Sequence, residues 1–274
     1  MSTARGAIAE MCGAEVVAAD RLAGGDLAGA VRIRLSDGRE LVAKEGPFVS
    51  REARMLEAIR ETGAPAPAVI GVRDELLLIE LLPSEGRPTG AAWASLAEAL
   101  ERLHGATGEA YGWSEDYAFG HVGIPNEKSQ SWPEFWAQNR LLNNCPYIPP
   151  TLARRVELLC AGLADRLPEN PRASLLHGDL WGGNILVSQD RVSGLIDPAC
   201  YYGDREVDFA MLSLFDHPPA EFFEQADLEP GWRERREIYR LWPLLVHLRL
   251  FGAGYAAMVE RLLDQSSRNL STTE

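Results

Sequence analysis

No stretch of the 274 residues approaches the ~18 consecutive apolar residues that a membrane-crossing helix needs. The opening Met1-Ser2-Thr3-Ala4-Arg5 lacks the apolar core of a secretion signal, so the expectation is a cytoplasmic protein with no membrane partner. Cysteine is scarce. Cys12, Cys145, Cys160 and Cys200 are far apart and none forms a Cys-x-x-Cys pair, which excludes a disulfide framework and the common zinc sites. Four reduced, mostly buried thiols are expected. Positive charge is in deficit: 27 Lys and Arg against 40 Asp and Glu leave a net charge of −13. A nucleic-acid backbone binder needs a basic face, so no nucleic-acid partner is expected, whereas a cationic substrate suits the field. No internal repeat or low-complexity segment is present, which excludes a solenoid.

The local patterns divide the chain into a sheet-rich beginning and a longer helical remainder, an α+β composition. Val31 to Leu35 alternates apolar and polar residues, Ser36-Asp37-Gly38-Arg39 is a turn, and Leu41 to Lys44 returns as a second strand. A helix is expected from about Val49 to Glu61, with Ala53, Leu56 and Ile59 on its apolar face and Gly63 as its stop. Val69 to Val72 and Leu76 to Ile79 form another strand pair. The turn-rich Pro83-Ser84-Glu85-Gly86-Arg87-Pro88 is the expected boundary, giving lobes 1–83 and 84–274. Helices are expected over Ala91–His104, Trp132 to about Asn143, Thr151–Leu167, and Trp232–Leu263 with interruptions at Pro243, Gly252 and Gly254.

The strongest chemical signal is Asp179 followed by Asn184 five residues on and by Asp197 thirteen residues later. Asp-x-x-x-x-Asn is the spacing of a kinase catalytic loop. A hydroxyl nucleophile needs a carboxylate near its proton, and a transferred phosphoryl group needs Mg2+, which takes oxygen ligands. Asp179 is the expected base, and Asn184 and Asp197 the expected metal ligands. Ile185–Val187, a turn at Ser188–Arg191 and Val192–Ile196 form a hairpin that returns Asp197 beside Asn184, with Gly182 and Gly183 allowing the tight bend. Asp197-Pro198-Ala199 stands where many kinases have Asp-Phe-Gly. For ATP, Lys44 at the end of an apolar strand is the expected phosphate anchor and Glu52 its partner. Gly24 and Gly25, in a glycine-rich turn, are expected to cover the phosphates. The backbone of Glu80, Leu81 and Leu82 is expected to meet adenine.

Leu176-His177-Gly178-Asp179-Leu180-Trp181-Gly182-Gly183-Asn184 resembles the catalytic loop of the fructosamine kinase (ketosamine-3-kinase) family, a branch of the aminoglycoside-phosphotransferase-like, protein-kinase-like fold. Trp181 is the feature typical of that branch. Tyr111-Gly112-Trp113, Gly120-His121-Val122-Gly123, Trp132-Pro133-Glu134-Phe135-Trp136, Arg140-Leu141 and the block Asp197-Pro198-Ala199-Cys200-Tyr201-Tyr202-Gly203-Asp204 extend the resemblance from about Gly24 to Leu263. It implies a two-lobed fold, with a small β-rich N-lobe and a larger, mainly helical C-lobe. It also implies transfer of the ATP γ-phosphate to the 3-hydroxyl of a ketoamine, free or protein-bound, which promotes deglycation. Trp181 and Tyr202 then face the sugar, while His177 and Asp208 support the loop. Pro125-Asn126 replaces the family's usual Pro-Gln, and the stretch between Lys44 and Glu52 is short. Two alternatives stand beside this reading: a phosphotransferase for aminoglycosides or choline-like amines, and a nucleotide-binding module without catalysis. Trp181 and the block after Asp197 argue against the first. The presence of Lys44, Asp179, Asn184 and Asp197 argues against the second. His104 and His247 are expected as satisfied core histidines. Oligomeric state leaves no mark in the sequence.

Overall fold

The structure is a computed structural model that describes residues 2–22 and 29–268. In chain order its elements are helix α1 (Ser2–Cys12), strands β1 (Val16–Arg21), β2 (Val31–Leu35) and β3 (Glu40–Glu45), helix α2 (Val49–Glu61), strands β4 (Val69–Arg73) and β5 (Leu76–Glu80), and helix α3 (Ala92–Gly105). Strands β6 (Tyr117–Phe119) and β7 (Val122–Ile124) precede the short helix α4 (Trp132–Phe135) and helix α5 (Pro150–Ala161). Next come β8 (Ser174–Leu176), β9 (Ile185–Ser188), β10 (Arg191–Leu195) and β11 (Tyr201–Gly203), then α6 (Glu206–Phe215), α7 (Ala220–Ala226), α8 (Trp232–Phe251) and α9 (Ala256–Arg268). Among the described residues no helix is long and apolar enough to cross a membrane.

Two compact units divide the chain: residues 1–102 with 182–198, and residues 103–181 with 199–274. Packing therefore divides it differently from a single cut at residue 83, and the reason is the β9–β10 hairpin. Glu85 N–H donates to Val187 O, Ser188 Oγ and Gln189 N–H donate to the Glu85 carboxylate, and Ser193 Oγ–H donates to Pro83 O. Leu195 N–H donates to Pro65 O and Val192 N–H to Ser95 Oγ. These bonds tie the hairpin to the first unit across about a hundred residues of intervening sequence.

The first unit is built on an antiparallel sheet in the order β1-β2-β3-β5-β4. The Asp-Gly turn closes β2 on β3 as expected: Gly38 takes φ +89 and its N–H donates to Leu35 O. One face of the sheet buries Ile33, Leu35, Leu41, Ala43, Leu76 and Leu78, and Ile8 of α1 joins that cluster. Neither α1 nor β1 is evident in the sequence. Ser2–Cys12 is rich in small residues and shows only a faint apolar stripe, and its packing against the sheet supplies what its own pattern lacks.

The second unit is mainly helical. Its core gathers Trp132, Phe135, Trp136, Tyr201, Tyr239 and Trp242 with aliphatic residues of α5, α8 and α9. The expected regular helix from Trp132 to Asn143 is instead a four-residue α-turn, a wide π-turn over Trp136–Leu141 and a 3-10 turn over Leu142–Tyr147. Within the wide turn Arg140 points wholly inward. Its guanidinium stacks between Phe135, Tyr201 and Trp242 and donates to Pro125 O (2.7 Å) and Asn126 Oδ1 (2.7 Å). Pro243 does not interrupt α8, which runs unbroken to Phe251. An interior proline costs ~3 kcal/mol, and the burial of Ile238, Leu241, Trp242, Leu244 and Leu245 around it outweighs that. Gly252, at φ +83, ends the helix.

Arg140→Met nearly keeps the volume but strands the half-buried acceptor on Pro125 and the buried one on Asn126. The expected loss is ~3 kcal/mol of stability, read as a lower urea midpoint. An unchanged midpoint contradicts this role.

Candidate active site

In the first unit the charged residues come together as the sequence suggests. Lys44, on β3, faces the sheet side covered by α2, and Glu52 lies in the first turn of that helix. Both are buried, with side-chain exposures of 6% and 7%, and they form an ion pair. Lys44 also donates to the carboxylate of Asp197, which is 32% exposed. Burial alone pulls the Lys44 pKa down, but the carboxylates of Glu52 and Asp197 outweigh it and hold the pKa above its ordinary value, so the ammonium stays charged.

The hairpin supplies the rest of this half. Ile185 pairs with Leu195, and Ile196 N–H donates to Asn184 O at 3.0 Å, so Asn184 and Asp197 sit at the same open end. Asp197 adopts φ +53, a left-handed conformation that an aspartate tolerates better than most residues. One amide oxygen and one carboxylate are hard donors. Among the described residues no group of three or more His, Cys, Asp or Glu side chains is placed to hold a metal. A two-oxygen set of this kind fits Mg2+, which keeps waters and phosphate oxygens as its other ligands, and does not fit an all-protein cage.

Of the residues expected at adenine, Glu80 ends β5 and its N–H is committed to Ala68 O at 2.9 Å. Its carbonyl rather than its N–H is therefore the candidate. Leu82 seats over Gly194, where an added Cβ would lie 2.2 Å from Leu82 Cδ1. Gly24 and Gly25 lie outside the described residues.

In the second unit the loop after β8 is held by a buried carboxylate. Asp208, in the first turn of α6, is fully buried; its Oδ2 accepts from His177 N–H (2.9 Å) and its Oδ1 from Gly178 N–H (3.0 Å). Burial pushes the Asp208 pKa up, yet hydrogen bonding and charge from His104, with His177, bring it below the ordinary carboxylate range. Gly178 has φ +77, and a Cβ there would lie 2.1 Å from Ala199 O, so only glycine fits. Ala199 N–H donates back to His177 O at 2.9 Å, and β11 pairs with β8 through Tyr201 and Leu176. Asp179 follows this pinned pair and is half-buried, as is Trp181. Tyr202 is half-buried with its ring over Gly108 and 5.6 Å from Trp113.

His104 is a satisfied core histidine, as expected, and its partner is the loop-holding carboxylate. It is buried in the last turn of α3, and its Nε2 lies 2.9 Å from Asp208 Oδ2. The two are 104 positions apart, and no local pattern reveals the pairing. A cavity of about 540 Å³ in the second unit, lined by residues including Asp116, Tyr117, His121, Asn143, Tyr147 and Arg249, contains none of the expected site residues.

Removing the central cation tests the first half. Lys44→Met leaves Glu52 buried without a partner, at a cost of roughly 3–5 kcal/mol. Adding Glu52→Leu removes the stranded charge, so the double variant is expected to unfold at higher urea than the single one. A further loss in the double variant contradicts the pairing.

The family model described as fructosamine kinase matches residues 3–269. The probable ketoamine kinase of Synechocystis is 34% identical over 246 residues, which cover 82% of this chain and 81% of that protein. A crystal structure from Thermobifida fusca, assigned as a fructosamine-3-kinase, is similar with a TM-score of 0.85 at 31% identity, covering 98% of this chain and 99% of that one. An aminoglycoside phosphotransferase solved with AMP-PNP and hygromycin B reaches a TM-score of 0.68 over 100% of each chain at 17% identity, a likeness of fold alone. The fold is thus the two-lobed α+β, protein-kinase-like one that the sequence suggests, and the chain belongs to the fructosamine kinase family of ATP-dependent phosphotransferases.

Proposed function

We propose that this chain transfers the terminal phosphoryl group of ATP to the 3-hydroxyl of a ketoamine, the adduct of a sugar with an amine. The observation that carries this reading is the buried Lys44–Glu52 pair with Asp197 on the same ammonium, in a chain of this family. Lys44 anchors the α- and β-phosphates, and Glu52 keeps the ammonium aimed. Asn184 and Asp197 would hold Mg2+, which neutralises charge on the phosphates when bound. The Glu80 carbonyl and the backbone of Leu81 and Leu82 take the adenine.

Asp179 accepts the proton of the sugar hydroxyl as its oxygen attacks phosphorus. The bond from phosphorus to the bridging oxygen of ADP breaks, and ADP leaves. Trp181 and Tyr202 offer flat apolar surface to the sugar, with Tyr202 already braced by Gly108 and Trp113. His177 and Asp208 support the loop. Phosphate at the 3-position labilises the adduct, and the free amine returns. The reaction belongs in the cytoplasm, where ATP is present. The net charge of −13 favours a cationic amine adduct over a nucleic acid.

The test is magnesium-dependent ATP consumption against a panel of synthetic fructosamines, ribulosamines and aminoglycosides. Turnover with the ketoamines is expected; turnover with aminoglycosides alone overturns the substrate assignment. Asp179→Asn is expected to lower kcat by roughly 10²–10⁴-fold with ATP binding retained, and unchanged turnover removes Asp179 as the base.

A further inference from the structure

We infer that the cavity lined by the β6–β7 hairpin, the turn over residues 142–147 and the end of α8 is a binding site for a small zwitterion, an α-amino acid with an apolar side chain. The site lies wholly within the second unit, and none of the residues placed at ATP or the sugar lines it. Its volume of about 540 Å³ falls in the usual range of small-molecule sites, roughly 300–1,000 Å³. The site does not depend on which acceptor the enzyme phosphorylates.

The cation of the cavity is Arg249, in the last turn of α8. Its guanidinium is fixed in two ways. One terminal nitrogen donates to Asn144 Oδ1 at 2.9 Å, and the carbon at its centre lies 4.1 Å from the centroid of the Tyr147 ring. Asn144 is itself buried and held, because its amide donates to Arg140 O at 2.6 Å. Among the described residues no carboxylate pairs with Arg249, although the chain has 40 acidic residues against 27 basic ones. Burial draws the Arg249 pKa down, the mark of a cation held partly out of water with no anion beside it. The remaining N–H groups of the guanidinium form a planar fork, which matches a carboxylate through two parallel bonds.

The cavity also holds a negative group. Asp116 lines it, with Oδ1 accepting from Asn126 N–H at 2.8 Å. Asp116 and Arg249 face one cavity and do not pair with each other, so each can serve a separate group of one ligand. A phosphate or a dicarboxylate would set excess negative charge against Asp116, whereas the ammonium of an amino acid complements it. Tyr117, Ile124, Pro125 and Tyr147 add apolar surface for a side chain. Arg249 is half-buried and Asp116 exposed, so the carboxylate contact contributes more than the ammonium contact.

The experiment titrates the full chain with three related compounds and follows binding by saturation-transfer NMR. They are L-leucine, L-leucinamide, which lacks the carboxylate, and 4-methylpentanoate, which lacks the ammonium. L-leucine is expected to bind with a Kd on the order of 1 mM, the scale for a ligand of its size. L-leucinamide is expected to bind about 10-fold more weakly and 4-methylpentanoate about 3-fold more weakly. Arg249→Gln, with folding checked by circular dichroism, is expected to weaken L-leucine binding about 10- to 100-fold. Asp116→Asn keeps an acceptor for Asn126 N–H and is expected to weaken it about 3-fold. Overturning results are no saturable binding of L-leucine at about 20 mM, either analogue binding as tightly as L-leucine, or unchanged L-leucine affinity in a folded Arg249→Gln. If that variant does not fold, Arg249→Lys decides, because it keeps the charge and loses the planar fork. A narrower preference for L-leucine over L-leucinamide supports the site, and an undiminished preference ends it.

Discussion

Asp208 is a charge with no water to turn to, and the geometry of the catalytic loop follows from how the fold satisfies it. Transferring a carboxylate out of water is costly unless donors replace the lost solvation. Here the donors are two backbone N–H groups of the loop itself and the His104 imidazole. The loop is therefore held by its backbone at the two residues that precede Asp179. Gly178 is a necessity of the same constraint, because the pinned backbone passes too close to Ala199 for any other residue.

The first unit solves a parallel problem with the opposite charge. Lys44 is buried, and an isolated ammonium there would lose its proton. Glu52 and Asp197 prevent that, and they come from distant places: Glu52 from the adjoining helix, Asp197 from a hairpin 153 residues away. The hairpin reaches Lys44 only because Pro65, Pro83, Glu85 and Ser95 bind it to the first unit. A cation kept charged by two carboxylates is suited to phosphate, whose oxygens compete for the same ammonium.

The sequence showed much of this, and its gaps have physical reasons. Local signals located the β2–β3 hairpin, α2 and the β9–β10 hairpin, because turn chemistry and apolar periodicity act over a few residues. The spacing of Asp179, Asn184 and Asp197 indicated the chemistry, and Trp181 with the block after Asp197 indicated the family. Features fixed by distant contacts were hidden. Helix α1 needs the sheet to bury its faint apolar face. The turn around Arg140 is wide where the guanidinium reaches Pro125 and Asn126, and Pro243 sits in a helix whose packing overrides it. His104 looks like any core histidine until Asp208 is seen beside it.

The most direct measurement is the structure of the product. Incubation of the protein with magnesium, ATP and a fructosamine, followed by phosphorus and proton NMR, locates the new phosphate. Phosphate is expected on the 3-oxygen, followed by release of the free amine in step with loss of the phosphorylated adduct. Phosphate on another hydroxyl with the amine still attached, or ATP hydrolysis with no phosphorylated adduct, would contradict the proposed reaction.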